Sequence, residues 1–410
     1  MPASAPQRKE SSNGRWLTRG VLGIGLASLF SDWGHEAATS ILPAFLASLG
    51  APAAALGVIE GVSDGLSSFA KLAGGWIADH PRYRKPTGIA GYLATAITTG
   101  AYAFAQSWPM VLLLRALGWI GRGSRGPSRD TLLAETVAPG QMGRAFGLER
   151  AMDTVGAVLG PLCAAALLGT LGFRGVLRWS LLPGLIAALA FGFLVPSSRK
   201  LAKQPLAGGA KISERFALLP RTYWRYLAGV FAHGIGDFAP TLLILRATQI
   251  LTPQWGLGRA AAISVGLYTF HNFVDAAASY PAGALGDRRG KRAVLALGYV
   301  VGAVSYGGFI FAQPKILGLA VLFGLAGIHH AFEQSLEKSL AAELISAEVR
   351  GTGFGVLAAA NGIGDLVSSV VVGTLWSVVN PAAGFLYAAG FAVVGAAMVY
   401  SSGARRAGLR

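Results

Sequence analysis

The sequence predicts an all-α integral membrane protein, with twelve transmembrane helices in two pseudo-symmetric six-helix bundles and both termini cytoplasmic. Three observations lead there. Hydrophobic residues make up 53% of the 410 and charged residues only 13%, with 57 glycines, whereas a soluble domain is about a quarter charged. Apolar stretches recur between polar breaks, each long enough to cross hydrocarbon, for which roughly 20 residues suffice. The chain also repeats itself: AGGWIADHPRYRKPTGIAGY (73–92) is echoed by AGALGDRRGKRAVLALGY (282–299), and GRAFGL (143–148) by GTGFGVL (351–357), about 208 residues later. Such a repeat marks a duplicated six-helix unit.

Taken in order, residues 1–19 hold no apolar core and no small-residue cleavage site, so they read as a cytoplasmic tail rather than a signal peptide. The expected spans are 20–49, 54–78, 87–106, 109–128, 146–171, 178–196, 226–249, 260–283, 293–312, 316–338, 351–376 and 381–401. The first six form an N-terminal bundle, 20–196, and the last six a C-terminal bundle, 226–401. Between them lies a basic linker, 197–225, and a second tail, 402–410, ends the chain. Of the 35 Lys and Arg, 28 fall in or beside the tails, the linker and the breaks on its side, and four (Arg174, Arg178, Arg259, Lys315) on the other. This positive-inside pattern assigns linker and tails to the cytoplasm. It also accounts for the net charge of +16 without any nucleic-acid partner. A lone cysteine, Cys163, excludes an internal disulfide.

Gly283, Asp287, Arg288, Gly290 and Arg292 form a pattern of Gly, three residues, Asp, then basic residues around a Gly; the first-half copy keeps Gly75 and Asp79 but has His80, Pro81 and Arg82 where a basic residue and the Gly would stand. An Asp at a helix end beside a basic loop is suited to hold two helices together in one state and release them in another. On these motifs the sequence resembles the major facilitator superfamily of secondary transporters, over nearly the whole chain. The resemblance implies alternating access and a gating role for those residues. Gly156, Gly160 and Pro161 look like the superfamily's exporter-associated glycine–proline motif, with Ala164 and Ala165 where two further glycines often stand. Span four carries Arg115 deep inside and Arg122, Arg125 and Arg129 toward its inner end. It resembles the family's arginine-bearing helix, whose buried Arg is implied to sit near the proton-coupling site, though an anion site or plain pairing with a carboxylate fits Arg115 as well.

An ionisable group inside a span costs a few kcal/mol or more unless it faces a cavity or a partner. The first span holds SDWGHEAATS, with Asp32, His35 and Glu36 at its middle. Pairs spaced i, i+4 share one helix face; they are Asp32 and Glu36, His233 and Asp237, His271 and Asp275, His329 and Glu333, with Glu60 and Asp64 nearer the outer end of span two. Aligning SLFSDWGHE with GVFAHGIGD sets Asp32 against His233 and Glu36 against Asp237. Helices one, four, seven and ten line the cavity in the fold the resemblance implies. Asp32, His35, Glu36, Arg115, His233, Asp237, His271, Asp275, His329, His330 and Glu333 are therefore the expected substrate or proton site.

The expected function is secondary active transport of a small solute by alternating access, as proton-coupled efflux, with no cofactor and H+ as coupling ion. The alternative is a divalent transition-metal exporter with His233, Asp237, His271 and His329 as candidate ligands; imidazole and carboxylate suit nickel, cobalt, zinc, manganese or iron, and one Cys with five Met argues against copper(I). A membrane-embedded metal-dependent enzyme is less favoured, since no H-E-x-x-H occurs, and no catalytic residue is assigned. Expected partners are the solute or metal ion and the lipid bilayer. The expected setting is a monomer, multi-pass in the inner membrane.

Overall fold

A computed structural model describes residues 16–51, 53–197, 212–238 and 240–402. The tails and most of the linker therefore lie outside the described residues, as do the side chains of Glu60 and Asp64. No strand occurs among the described residues, which form α1 (Arg19–Ser48), α2 (Ala53–Ala78), α3 (Pro81–Ala101), α4 (Trp108–Thr136), α5 (Met142–Trp179), α6 (Leu181–Leu194), α7 (Ile212–Ala217), α8 (Arg221–Gly234), α9 (Thr241–Arg289), α10 (Lys291–Ile310), α11 (Ile316–Leu344), α12 (Arg350–Val378) and α13 (Pro381–Ser401).

The structure differs from the expected spans where glycine, proline and arginine decide. The stretch read as one span over 226–249 is broken: α8 stops at Gly234 and α9 starts at Thr241. Gly234 and Gly236 favour no helix, and Pro240 lacks an amide proton and constrains the residue before it. Conversely, α5 and α9 each continue through a turn at one glycine, Gly172 (φ 63°) and Gly256 (φ 69°), in a conformation that side-chain-bearing residues avoid. Helix α4 runs on to Thr136, past the expected end at residue 128, so Arg129 lies within it together with Arg122 and Arg125. Among the described residues, five helical stretches suffice by length and hydropathy to cross a membrane: Met142–Leu194, Lys291–Ile310, Ile316–Leu344, Arg350–Trp376 and Pro381–Ser401.

The outer surface is apolar, unlike that of a soluble protein, and ionisable groups lie inside beside the apolar cores. Phe69, Phe193, Leu317 and Val378 are each more than 70% exposed, while Arg84, Arg125, His233, Asp275 and Glu333 are buried. Apolar side chains facing outward and polar ones facing inward is the arrangement hydrocarbon solvent demands.

Three apolar cores hold the helices. One spans both halves at the end where the linker attaches, joining Met142 and Phe146 to Phe354 and Ile345. The other two sit at the opposite end, one made only of first-half residues such as Phe45 and Leu177, the other only of second-half residues such as Phe309 and Phe385. The halves are thus joined at the linker end and packed separately at the other.

Candidate functional site

Helix α1 buries Ser28, Ser31, Asp32 and His35. It lies directly against α5: a Cβ on Gly156 would come within 2.2 Å of the Leu29 carbonyl oxygen, and one on Gly160 within 2.8 Å of the Glu36 Cβ. The glycine–proline stretch is therefore the surface on which SDWGHE packs, and Pro161 continues inside the same helix.

The polar groups of α1 meet arginines from α4. Asp32 Oδ1 pairs with Arg122 Nη2 at 2.8 Å. Arg125 donates to Ser31 Oγ at 2.8 Å and Thr95 Oγ1 at 3.1 Å, and lies 4.0 Å over the Tyr92 ring. Arg129 pairs with Glu149 at 2.8 Å, and Ser28 donates to the same carboxylate. His35, Arg115 and Arg122 line a small cavity with Trp119, Thr95 and Thr99. The first-half cluster is thus rich in cations and largely self-neutralised.

The aspartates of the two motif copies, Asp79 and Asp287, cap helices of the opposite half. Asp287 accepts from the backbone amides of Gly143 (2.9 Å) and Arg144 (3.0 Å), at the start of α5. Asp79 accepts from the Thr352 amide at 3.0 Å and from its hydroxyl, at the start of α12. A carboxylate at a helix N-terminus satisfies orphan N–H groups and faces the positive end of the dipole. The helices touch because both partners lack side chains: Gly283 lies on Gly143, and Gly75 on Gly351. Gly290, at φ 94°, turns the chain after Asp287, while Arg288 is exposed and Arg292 half-buried.

Sequence reasoning missed the cation at the first copy. Lys291 pairs with Asp287 at 2.8 Å; at Asp79 that place is taken by Arg215 of the linker helix α7, at 3.1 Å. Only proximity in space reveals that substitution, since Arg215 is 136 residues from Asp79 in the chain.

A further link crosses the halves deeper in. Asp275 Oδ2 pairs with Arg150 of α5 at 2.9 Å, accepts from Thr154 at 3.3 Å, and meets His330 Nδ1 at 3.1 Å. Asp275 therefore does not pair with His271 on its own helix face. His271 turns instead to Asn272 and stacks near Tyr268. Neither Arg150 nor Thr154 was singled out by the sequence, because α5 read there as an apolar packing helix.

The second half gathers His233, Asp237, His329 and Glu333, whose ligating atoms all lie within 4.8 Å of one another. His329 Nε2 stands 3.8 Å from both Asp237 Oδ1 and Glu333 Oε2, and His233 Nε2 4.0 Å from Glu333 Oε2. Asp237 comes from the break between α8 and α9, which turns its carboxylate inward. Of the four metal-ligand candidates, three are brought together; His271 lies elsewhere and Glu333 takes the fourth place. Around them Tyr306 donates to Asp237 at 2.5 Å, and Glu337 accepts from Tyr299 and from Asn361, the latter at 2.7 Å.

The chain matches the Major Facilitator Superfamily profile over residues 24–270 and 247–407. An uncharacterised MFS-type transporter of Methanocaldococcus jannaschii is 29% identical over 391 residues, 94% of this chain and 96% of the relative. Among solved structures, the human organic anion transporter MFSD10 superposes with a TM-score of 0.74 at 15% identity, covering 93% of this chain and 99% of that one. A bacterial homologue of the iron transporter ferroportin, in an outward-facing state, superposes with a TM-score of 0.72 at 14% identity, covering 93% and 98%. At such identities the two structures establish the fold.

Proposed function

Because the chain belongs to the major facilitator superfamily, we propose that this multi-pass membrane protein moves a small solute by alternating access, driven by protons and directed outward. In this reading the topology is the twelve-span one, with termini and linker in the cytoplasm, and the protein works as a monomer of the inner membrane. The observation that carries the proton coupling is Asp275. Its carboxylate, 1% exposed, is shared between Arg150 of the other half and His330 of its own. A proton arriving there cancels the charge that holds the halves together, so protonation and opening become one event. The caps at Asp79 and Asp287 act with it, since both break when the linker end opens.

Reconstituted protein supplies the test. Asp275→Asn is expected to abolish movement driven by a pH gradient while leaving solute-for-solute exchange, which needs no net proton transfer. Gradient-driven movement equal to that of the unaltered protein sinks the coupling role.

The alternative of a divalent metal ion as the solute draws support from one feature, the His233, Asp237, His329 and Glu333 cluster.

A further inference from the structure

We propose that His233, Asp237, His329 and Glu333 form a binding site for one divalent transition-metal ion of the zinc, cobalt or nickel type. The first argument is what these atoms lack. His233 is 1% exposed, yet neither of its ring nitrogens has a hydrogen-bond partner; the same holds for His329 Nε2 and Glu333 Oε2. A buried polar atom left bare costs about 1–3 kcal/mol. Here several such atoms converge on one point.

The second argument is protonation. His329 Nδ1 lies 3.0 Å from the Gly298 carbonyl oxygen. That oxygen only accepts, so Nδ1 carries the hydrogen, and in the neutral ring Nε2 presents its lone pair to Asp237 and Glu333. Lone pair and carboxylate oxygens then face one another with nothing positive between them. A cation at their centre turns this repulsion into coordination. Two carboxylates and two neutral imidazoles carry two negative charges, which a divalent ion balances.

The third argument is the surrounding support. Metal-bound histidines characteristically donate their second ring N–H to a backbone carbonyl, and metal-bound carboxylates are themselves hydrogen-bonded. His329 does the first toward Gly298, and Asp237 accepts from Tyr306 at 2.5 Å. Gly302 leaves room for the His329 ring, since a Cβ there would come within 2.8 Å of it. Two nitrogens and two oxygens suit zinc, cobalt and nickel better than copper(I), which prefers sulfur, or calcium, which prefers oxygen alone. Ligands about 2.1 Å from such an ion stand about 3.4 Å apart in a tetrahedron, so the separations of 3.8 and 4.0 Å close by about half an ångström on binding, and the widest, within 4.8 Å, by up to about 1.4 Å. Asp237, 19% exposed, is the side from which an ion enters.

The inference rests on the transport reading only in taking the ion as cargo. The test is a Co2+ titration of full-length, chelator-treated protein in nanodiscs, read by the visible absorption of tetrahedral Co2+ and by calorimetry with Zn2+. One ion per chain is expected, weakened at least about 100-fold in His233→Ala and in His329→Ala, and about 10-fold in Tyr306→Phe. Glu333→Gln, which keeps the side-chain shape, is expected to remove the tetrahedral band, and His271→Ala to leave it intact. Absence of the band in the unaltered protein overturns the site, as does a band that survives in Glu333→Gln or disappears in His271→Ala. Asp275→Asn tests the transport reading without touching these ligands, so the two fail separately.

Discussion

Helices α4 and α11 stand at matching places in the two repeats, yet their polar groups are opposite in sign. The repeat offset of about 208 residues sets Arg125 against Glu333 and Arg129 against Glu337. In the first half Arg122 has Asp32, Arg125 has Ser31, Thr95 and the Tyr92 ring, and Arg129 has Glu149. In the second half Glu337 is satisfied by Tyr299 and Asn361, but Glu333 Oε2 and three imidazole nitrogens are not. Duplication supplied the same scaffold twice. One copy pairs its charges across helices, and in the proposed reading the other leaves its charges for a cation to balance.

That contrast predicts opposite responses to mutation. The largest effect is expected from Arg122→Ala, which strands the buried Asp32 carboxylate; stability should fall by about 3 kcal/mol, measured by unfolding in mixed micelles, and Asp32→Asn added to it should recover part of the loss. A negligible loss in Arg122→Ala would mean the first-half network is not load-sharing and the contrast is false. Gly156→Ala comes next at about 2 kcal/mol, because its Cβ would press on the Leu29 carbonyl; unfolding measurements that place it level with the unaltered protein would remove the tight α1–α5 contact. Asp79→Ala should cost about 1 kcal/mol through the lost helix cap, and proteolysis at the linker should quicken because Arg215 loses its partner. The smallest effect belongs to the second half: Glu333→Gln should shift the unfolding free energy by no more than about 0.5 kcal/mol, since it removes an oxygen that has no donor to lose. A loss as large as that of Arg122→Ala would show that Glu333 is already satisfied.

Much of this was legible in the sequence, and for physical reasons. Hydropathy and the duplicated glycine–aspartate motif point to the helical membrane fold, because both signals are local and repeated. The histidine and carboxylate pairs in α1, α8 and α11 stand out because an ionisable group in an apolar run has few neutral explanations. What pairs with what was not legible. The i, i+4 rule places Asp275 beside His271, but the side chain turns across the halves to Arg150, and helix rotation about its axis is set by packing that no local pattern records. Arg215 and Lys291 fill the same role from unrelated parts of the chain. The break at residues 235–240, which delivers Asp237, was signalled by Gly234, Gly236 and Pro240, yet the apolar run around them read as a continuous span.

The most direct test of the account is metal movement in proteoliposomes that carry a Co2+-quenched dye inside and a pH gradient across the membrane. The unaltered protein should move Co2+ when the gradient is imposed, Glu333→Gln should reduce the rate to that of empty liposomes, and Asp32→Asn should retain a measurable rate. Co2+ movement by Glu333→Gln equal to that of the unaltered protein, or none above empty liposomes in either, would contradict a second half that takes up the cation the first half does not need.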